Sequence, residues 1–251
     1  MSIYKTLPLC YSTSGPEEVD GVGNFYLHVL APAPSQFPVI TLYFFDSHGE
    51  VVREAPFYDK WSRGKEYDRI TPEQVEWFRE RSQANRTARK QHKDGSYHHH
   101  SLAFMHIPPP KFADDSELRI LSGRRREPTE GSSEDSGLYD ALADAEIQVL
   151  ACGHDHVNDF VARPRQVRSE KTGRAPWLVY SGTVGYGGYC SYGGTAFHRR
   201  ARVYHSTEGR LTTWLQVQYQ EDPVDNIVLV EEGEIVDSPE EQAESRICVM
   251  S

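Results

Sequence analysis

Cysteine is scarce in this chain and its few copies stand apart. Cys10, Cys152, Cys190 and Cys248 include no C-x-x-C spacing, which speaks against a zinc ribbon and a disulfide framework and suits a reducing, cytoplasmic setting. Long apolar runs are missing too. None approaches the roughly 18–20 residues of a membrane span, and the amino terminus lacks a signal-peptide pattern. Basic charge is also short: 27 Lys and Arg face 37 Asp and Glu, a formal net charge of −10. A broad basic surface is thereby excluded, and no nucleic-acid partner is expected. Hydrophobic content of 38% and mean hydropathy of −0.62 leave room for a core with long polar loops or tails.

What is present reads as alternating strands and helices. Phe25–Leu30 and Val39–Phe45 are strand-like, separated by Pro32, Pro34 and Pro38. The second is nearly continuous apolar, as expected of a strand buried on both faces. Thr71-Pro72-Glu73-Gln74 is a helix start, with Thr71 as N-cap, Pro72 at N1 and Gln74 placed for a capping box. Val75 and Phe78 give that helix an inward face, and it continues basic and polar through Lys93. A second buried strand, from Ser101 to Ile107, is closed by Pro108-Pro109-Pro110. Residues 111–137, with Arg124-Arg125-Arg126, read as a long surface loop. A short helix over 136–145 then feeds a strand over 147–152. Beyond Asp159 the pattern is β-rich, with strands at Trp177–Tyr180, Ala201–His205 and Leu211–Tyr219. This order implies an α/β architecture. From Gln220 the chain turns acidic, so residues 220–251 are expected to form a flexible tail, although Ile227–Val230 could add a strand.

The candidate chemistry lies at strand ends. Val149-Leu150-Ala151-Cys152 runs into Gly153-His154-Asp155-His156, a turn that can send two imidazoles to one rim of a sheet. Imidazole is the commonest metal-binding side chain, so the motif is half of a metal site; the alternative is a polar surface turn. His106 likewise follows a core strand, and ligands of open α/β sheets bind beyond the carboxyl ends of strands. The loop Gly185-Tyr186-Gly187-Gly188-Tyr189-Cys190-Ser191-Tyr192-Gly193-Gly194 lacks the strand-to-helix setting of a nucleotide-binding loop. It is either a tight structural loop or one shaping a site mouth.

The ordered set His106-Ile107-Pro108-Pro109-Pro110, Ser136-Gly137-Leu138-Tyr139-Asp140-Ala141-Leu142 and Gly153-His154-Asp155-His156-Val157-Asn158-Asp159 resembles calcineurin-like metallophosphoesterases, most closely the intracellular branch similar to purple acid phosphatases. Gly185-Tyr186-Gly187-Gly188-Tyr189 and Ala201-Arg202-Val203 extend the resemblance, which covers residues 7 to 215. It implies a four-layer α/β/β/α sandwich and a phosphate-ester substrate. It also implies two metal ions, iron, manganese or zinc, about 3.5–4 Å apart, which polarise a phosphoryl group and activate water. By resemblance His106 and His154 would bind one metal and His156 the other.

The chain departs from the family's amino-terminal motifs. It contains no Gly-Asp pair, so the bridging aspartate has no candidate. Asp46-Ser47-His48 imitates Asp-x-His, but it follows Gly23-Asn24 and the order is wrong; Asp46 and His48 are therefore read as non-ligands. Residues 1–219 are expected to be the carboxyl-terminal portion of the domain, with its amino-terminal strands missing. Three neutral histidines without anionic partners would hold metal weakly, so little or no activity is expected, with a non-catalytic binding or regulatory protein as the alternative. Cys248-Val249-Met250-Ser251 fits a prenylation signal. One lipid beside an acidic tail would give only weak, reversible membrane contact.

Overall fold

A computed structural model describes residues 6–51, 66–92, 96–165, 175–186, 191–192 and 195–236. Thirteen strands, β1 to β13, and two α-helices are assigned among these residues. The first strands, β1 (Phe25–Leu30) and β2 (Pro38–Phe44), form an antiparallel pair at one edge of a seven-stranded sheet. β3 (His100–Phe104), β5 (Val149–Cys152) and β7 (Trp177–Tyr180) follow β2, all four parallel. β6 (Val161–Pro164) and β4 (Leu118–Ser122) close the far edge antiparallel. The sheet order is therefore β1-β2-β3-β5-β7-β6-β4.

Alternation along the central strands divides the core in two. On β5, Leu150 and Cys152 face one side while Val149 and Ala151 face the other. On β7 the same split puts Leu178 and Tyr180 opposite Trp177 and Val179. Both helices cover the first side. α1 (Pro72–Gln91) has the expected capping box, Thr71 N donating to Gln74 Oε1 at 2.8 Å, and buries Val75, Trp77 and Phe78. α2 (Leu138–Asp144) adds Leu138, Ala141 and Leu142. Each fully buried large apolar side chain contributes about 1.5–3 kcal/mol.

A second, antiparallel sheet covers the other side: β10 (Arg200–Thr207), β11 (Arg210–Val217), β12 (Val224–Glu231) and β13 (Glu234–Ile235). Leu211, Ile227, Leu229 and Val230 reach from it into the second cluster, and Trp177 Nε1 donates to Leu229 O at 2.8 Å. Two short strands, β8 (Ser191–Tyr192) and β9 (Thr195–Ala196), pair separately. Helices, sheet and sheet are thus three successive layers of the expected four-layer arrangement.

Two expectations are corrected. The supposed surface loop 111–137 contains β4, whose Leu118 is buried and which pairs with β6. Its sequence, Leu118-Arg119-Ile120-Leu121-Ser122, carries only a short apolar signal between charges. Secondly, residues 224–235 are two strands of the second sheet, not part of an acidic tail. Their acidic neighbours lie outside the buried stripe, which is Ile227 to Val230. Residues 237–251, with Cys248, lie outside the described residues, as do Gly187, Gly188, Tyr189, Cys190, Gly193 and Gly194. Among the described residues no helix is long and apolar enough to cross a membrane.

Candidate metal centre

Parallel pairing of β3 with β5 brings the histidines together. Phe104 is level with Ala151, and the ladder runs on past the strands: Met105 N donates to Ala151 O at 3.1 Å and Gly153 N to His106 O at 3.0 Å. His106 and His154 therefore leave the same carboxyl edge on neighbouring strands. Their ring centres are 5.3 Å apart and nearly perpendicular, at 83°. Two imidazoles sharing one ion at nitrogen distances near 2.1 Å would have centres about 5 Å apart. His154 adopts φ +74°, a left-handed conformation that a non-glycine residue holds only at a cost of order 1–3 kcal/mol. The Tyr67 ring stands edge-on to it at 4.8 Å.

His156 lies close enough to affect His106. The His106 pKa is lowered, first by partial removal from water and then by His156. This keeps His106 in the neutral form that binds a cation. The structure thus sets His106 and His154 ring to ring at one sheet edge, with His156 near enough to bear on the charge of His106.

The turn carrying His154 and His156 is anchored by side chains of the same and neighbouring segments. Asp155 is buried, accepts the Tyr180 hydroxyl, and accepts Glu130 N at 3.2 Å. Desolvation pushes its pKa up to about 6, with Glu127 and Glu130 adding to the rise and the Tyr180 and Glu130 hydrogen bonds opposing it. Asn158 Oδ1 accepts Arg126 N at 2.8 Å and Glu127 N at 3.1 Å, and its Nδ2 donates to Glu127 O. Asp159, fully buried, pairs with Arg126 at 2.5 Å and Arg200 at 2.7 Å. The two guanidinium groups also stack on Phe197. Sequence reading missed Arg126, Glu127, Tyr180 and Arg200 in this anchoring. Their signal is weak because they lie in three separate segments, Arg126-Glu127, Tyr180 and Arg200, and only folding makes them neighbours.

Asp46 and His48 follow the end of β2, the strand beside β3, and their side chains are engaged elsewhere. Asp46 Oδ2 accepts Val22 N at 2.6 Å and Oδ1 accepts His48 N at 2.9 Å. The His48 ring lies 3.0 Å from Gln74 Oε1. Asn24 Oδ1 accepts Asp46 N at 3.1 Å and Gln74 Nε2 at 2.8 Å. Ser47 of this segment reaches the continuation of the His106 strand, accepting Ile107 N at 2.9 Å.

The donor chemistry and ring spacing of His106 and His154 suit a shared ion. A two-metal centre needs anionic oxygens as well, to bridge the ions and offset their charge. Among the described residues no group of three or more His, Cys, Asp or Glu side chains is arranged to hold a metal ion. The described residues therefore fit a fragment of such a centre and do not complete it.

The chain is 31% identical over 208 residues to "Probable inactive purple acid phosphatase 29" of Arabidopsis thaliana, covering 78% of this chain and 48% of that protein. To "Probable inactive purple acid phosphatase 14" of the same plant it is 29% identical over 194 residues, covering 74% and 43%. To "Phosphatase DCR2" of Saccharomyces cerevisiae (strain ATCC 204508 / S288c) it is 30% identical over 204 residues, covering 77% and 31%. The chain thus spans about half or less of the length of these relatives. No family model matches it, and no solved structure matches it.

Proposed function

Because this chain belongs to a metallophosphoesterase-like family, we propose that its histidine edge is one part of a metal-dependent, phosphoester-hydrolysing site, and that the 251-residue chain alone has little or no activity. The observation carrying this reading is the edge-to-face pair of His106 and His154 at the ends of β3 and β5, which no described carboxylate joins. His106, His154 and His156 are the metal-directed residues in this reading. Asp46 and His48 are architectural, since their polar atoms already serve the backbone and Gln74. Two relatives carry "inactive" in their names, which agrees with the short donor set. A phosphate ester is the substrate class, and the ions are iron, manganese or zinc.

Assaying the purified 251-residue chain with an aryl phosphate and added manganese, iron or zinc tests the reading. Rates no higher than with the metal salt alone are expected, together with weak cobalt binding that is lost in His154→Ala. Efficient metal-dependent turnover would overturn the inactivity, and unchanged cobalt binding in His154→Ala would overturn the assignment of the site.

A further inference from the structure

The amino-terminal part of α1 presents Glu73, Glu76, Trp77 and Glu80 at i, i+3, i+4 and i+7, which is one stripe of a helix. Facing that stripe are the segment around residues 13–19 and the start of β1. Between them runs an open groove of about 610 Å³. Its floor is apolar, built from Val19, Tyr26 and Trp77, and its rim is acidic, with Glu18 on the loop side and the three helical glutamates opposite. Arg81 is the one cation of the lining, and it sits 3.5 Å from Glu80. Glu76 has Arg79 at 3.6 Å, but both pairs are exposed and therefore weak. Among the described residues Glu18 and Glu73 have no ion pair.

The groove is braced independently of any ligand. A β-carbon on Gly15 would come 2.6 Å from Asn24 O, so only glycine lets the loop close there. Gly23 N donates to Ser14 O at 2.8 Å, and Asn24 Nδ2 donates to Asp20 O at 2.8 Å. Asn24 is in turn bonded to Gln74 in the first turn of α1 and to Asp46. Asp46, which imitates a metal ligand in the sequence, thus helps to hold one wall of this groove against the other.

The lining selects its occupant by charge. A phosphate or other anion would be repelled by the rim. A purely apolar segment would cover carboxylates without replacing their hydration, which is costly. A lysine or arginine lays an aliphatic stem on an aromatic floor while its charge stays at an acidic rim.

We propose that this groove docks a basic segment of a partner protein, with apolar side chains or stems on Trp77 and Tyr26 and cations at Glu18, Glu73 and Glu76. The groove lining includes none of His106, His154 and His156.

The probe is a fluorescein-labelled heptapeptide in which leucines alternate with lysine and arginine, followed by anisotropy. Binding should weaken at least about tenfold in Glu73→Lys/Glu76→Lys and fall with added salt. The control Glu221→Lys/Asp222→Lys makes the same change of net charge in the connection between β11 and β12, outside the groove lining, and should change binding less than about twofold. Glu18→Lys, on the other wall, should weaken binding severalfold even if the helical variant proves unstable. The Trp77 indole resonance should shift on peptide addition. Equal weakening in variant and control, no measurable binding, or an unmoved Trp77 signal would overturn the proposal. So would a dimer dissociated by the same reversals, which would assign the groove to a second copy.

Discussion

Gly153 and His106 are matched across the ends of β5 and β3: a β-carbon at 153 would lie 3.2 Å from His106 Nδ1. The glycine that turns the chain out of β5 is therefore also the residue that leaves room for the neighbouring imidazole.

Gly153→Ala should move the His106 ring, because the exposed ring can yield more readily than the backbone. Cobalt affinity is expected to fall about tenfold, the scale of a disturbed ligand setting. Unfolding free energy should change by less than about 1 kcal/mol, since only a side chain must shift. Cobalt titration read alongside urea denaturation checks both halves.

Asp46→Ala separates architecture from ligation. It removes acceptors of Val22 N and His48 N, so a loss of about 1–3 kcal/mol is expected in urea unfolding. The cobalt spectrum should be unchanged. A spectrum altered while the fold persists would return Asp46 to the ligand set.

Asp159→Asn leaves the Arg126 and Arg200 guanidinium groups without their shared carboxylate in a buried setting. A cost of about 3–5 kcal/mol is expected, the scale for breaking a buried ion pair on one side. The loop from 124 to 130 should lose protection in hydrogen exchange before the rest of the sheet, because Asp159 also accepts Arg124 N.

Acid sensitivity should come partly from His99, far from the candidate centre. Its Nε2 lies 2.9 Å from Thr41 Oγ1, and burial, with Arg89, His100 and His28 nearby, pushes its pKa down to about 2 from 6.5. The unfolded chain therefore binds a proton that the folded chain does not. Stability present above about pH 6.5 is lost as the pH falls toward the folded value. His99→Gln retains a polar partner for Thr41 and cannot titrate. Its urea midpoint should fall less than that of the native chain between about pH 7 and pH 5.

Much of this arrangement was legible in residue order. The capping box at Thr71 and Gln74 is local chemistry, so it appears in the helix as read. The apolar run at 149–152 and the prolines after Ile107 mark buried strands for equally local reasons. β4 escaped notice because five residues with two charges among or beside them carry little periodicity. The stripe Ile227–Val230 marked a strand, but the acidic residues around it masked the extent of β12 and its place in the second sheet.

By itself, the sequence determined the family and the positions of His106, His154 and His156, since an ordered series of short motifs survives without knowledge of contacts. It also showed that Gly-Asp is absent from these 251 residues. Only the tertiary structure decided that His106 and His154 stand ring to ring, because that depends on β3 and β5 being parallel neighbours. It likewise decided that Asp46, Asn24 and Gln74 join through hydrogen bonds 22 to 50 residues apart in sequence. A motif records which groups are available, whereas pairing between distant strands determines which of them meet. The turn after β5 carries two imidazoles, and the fold brings the His106 ring to one of them without a described carboxylate beside the pair.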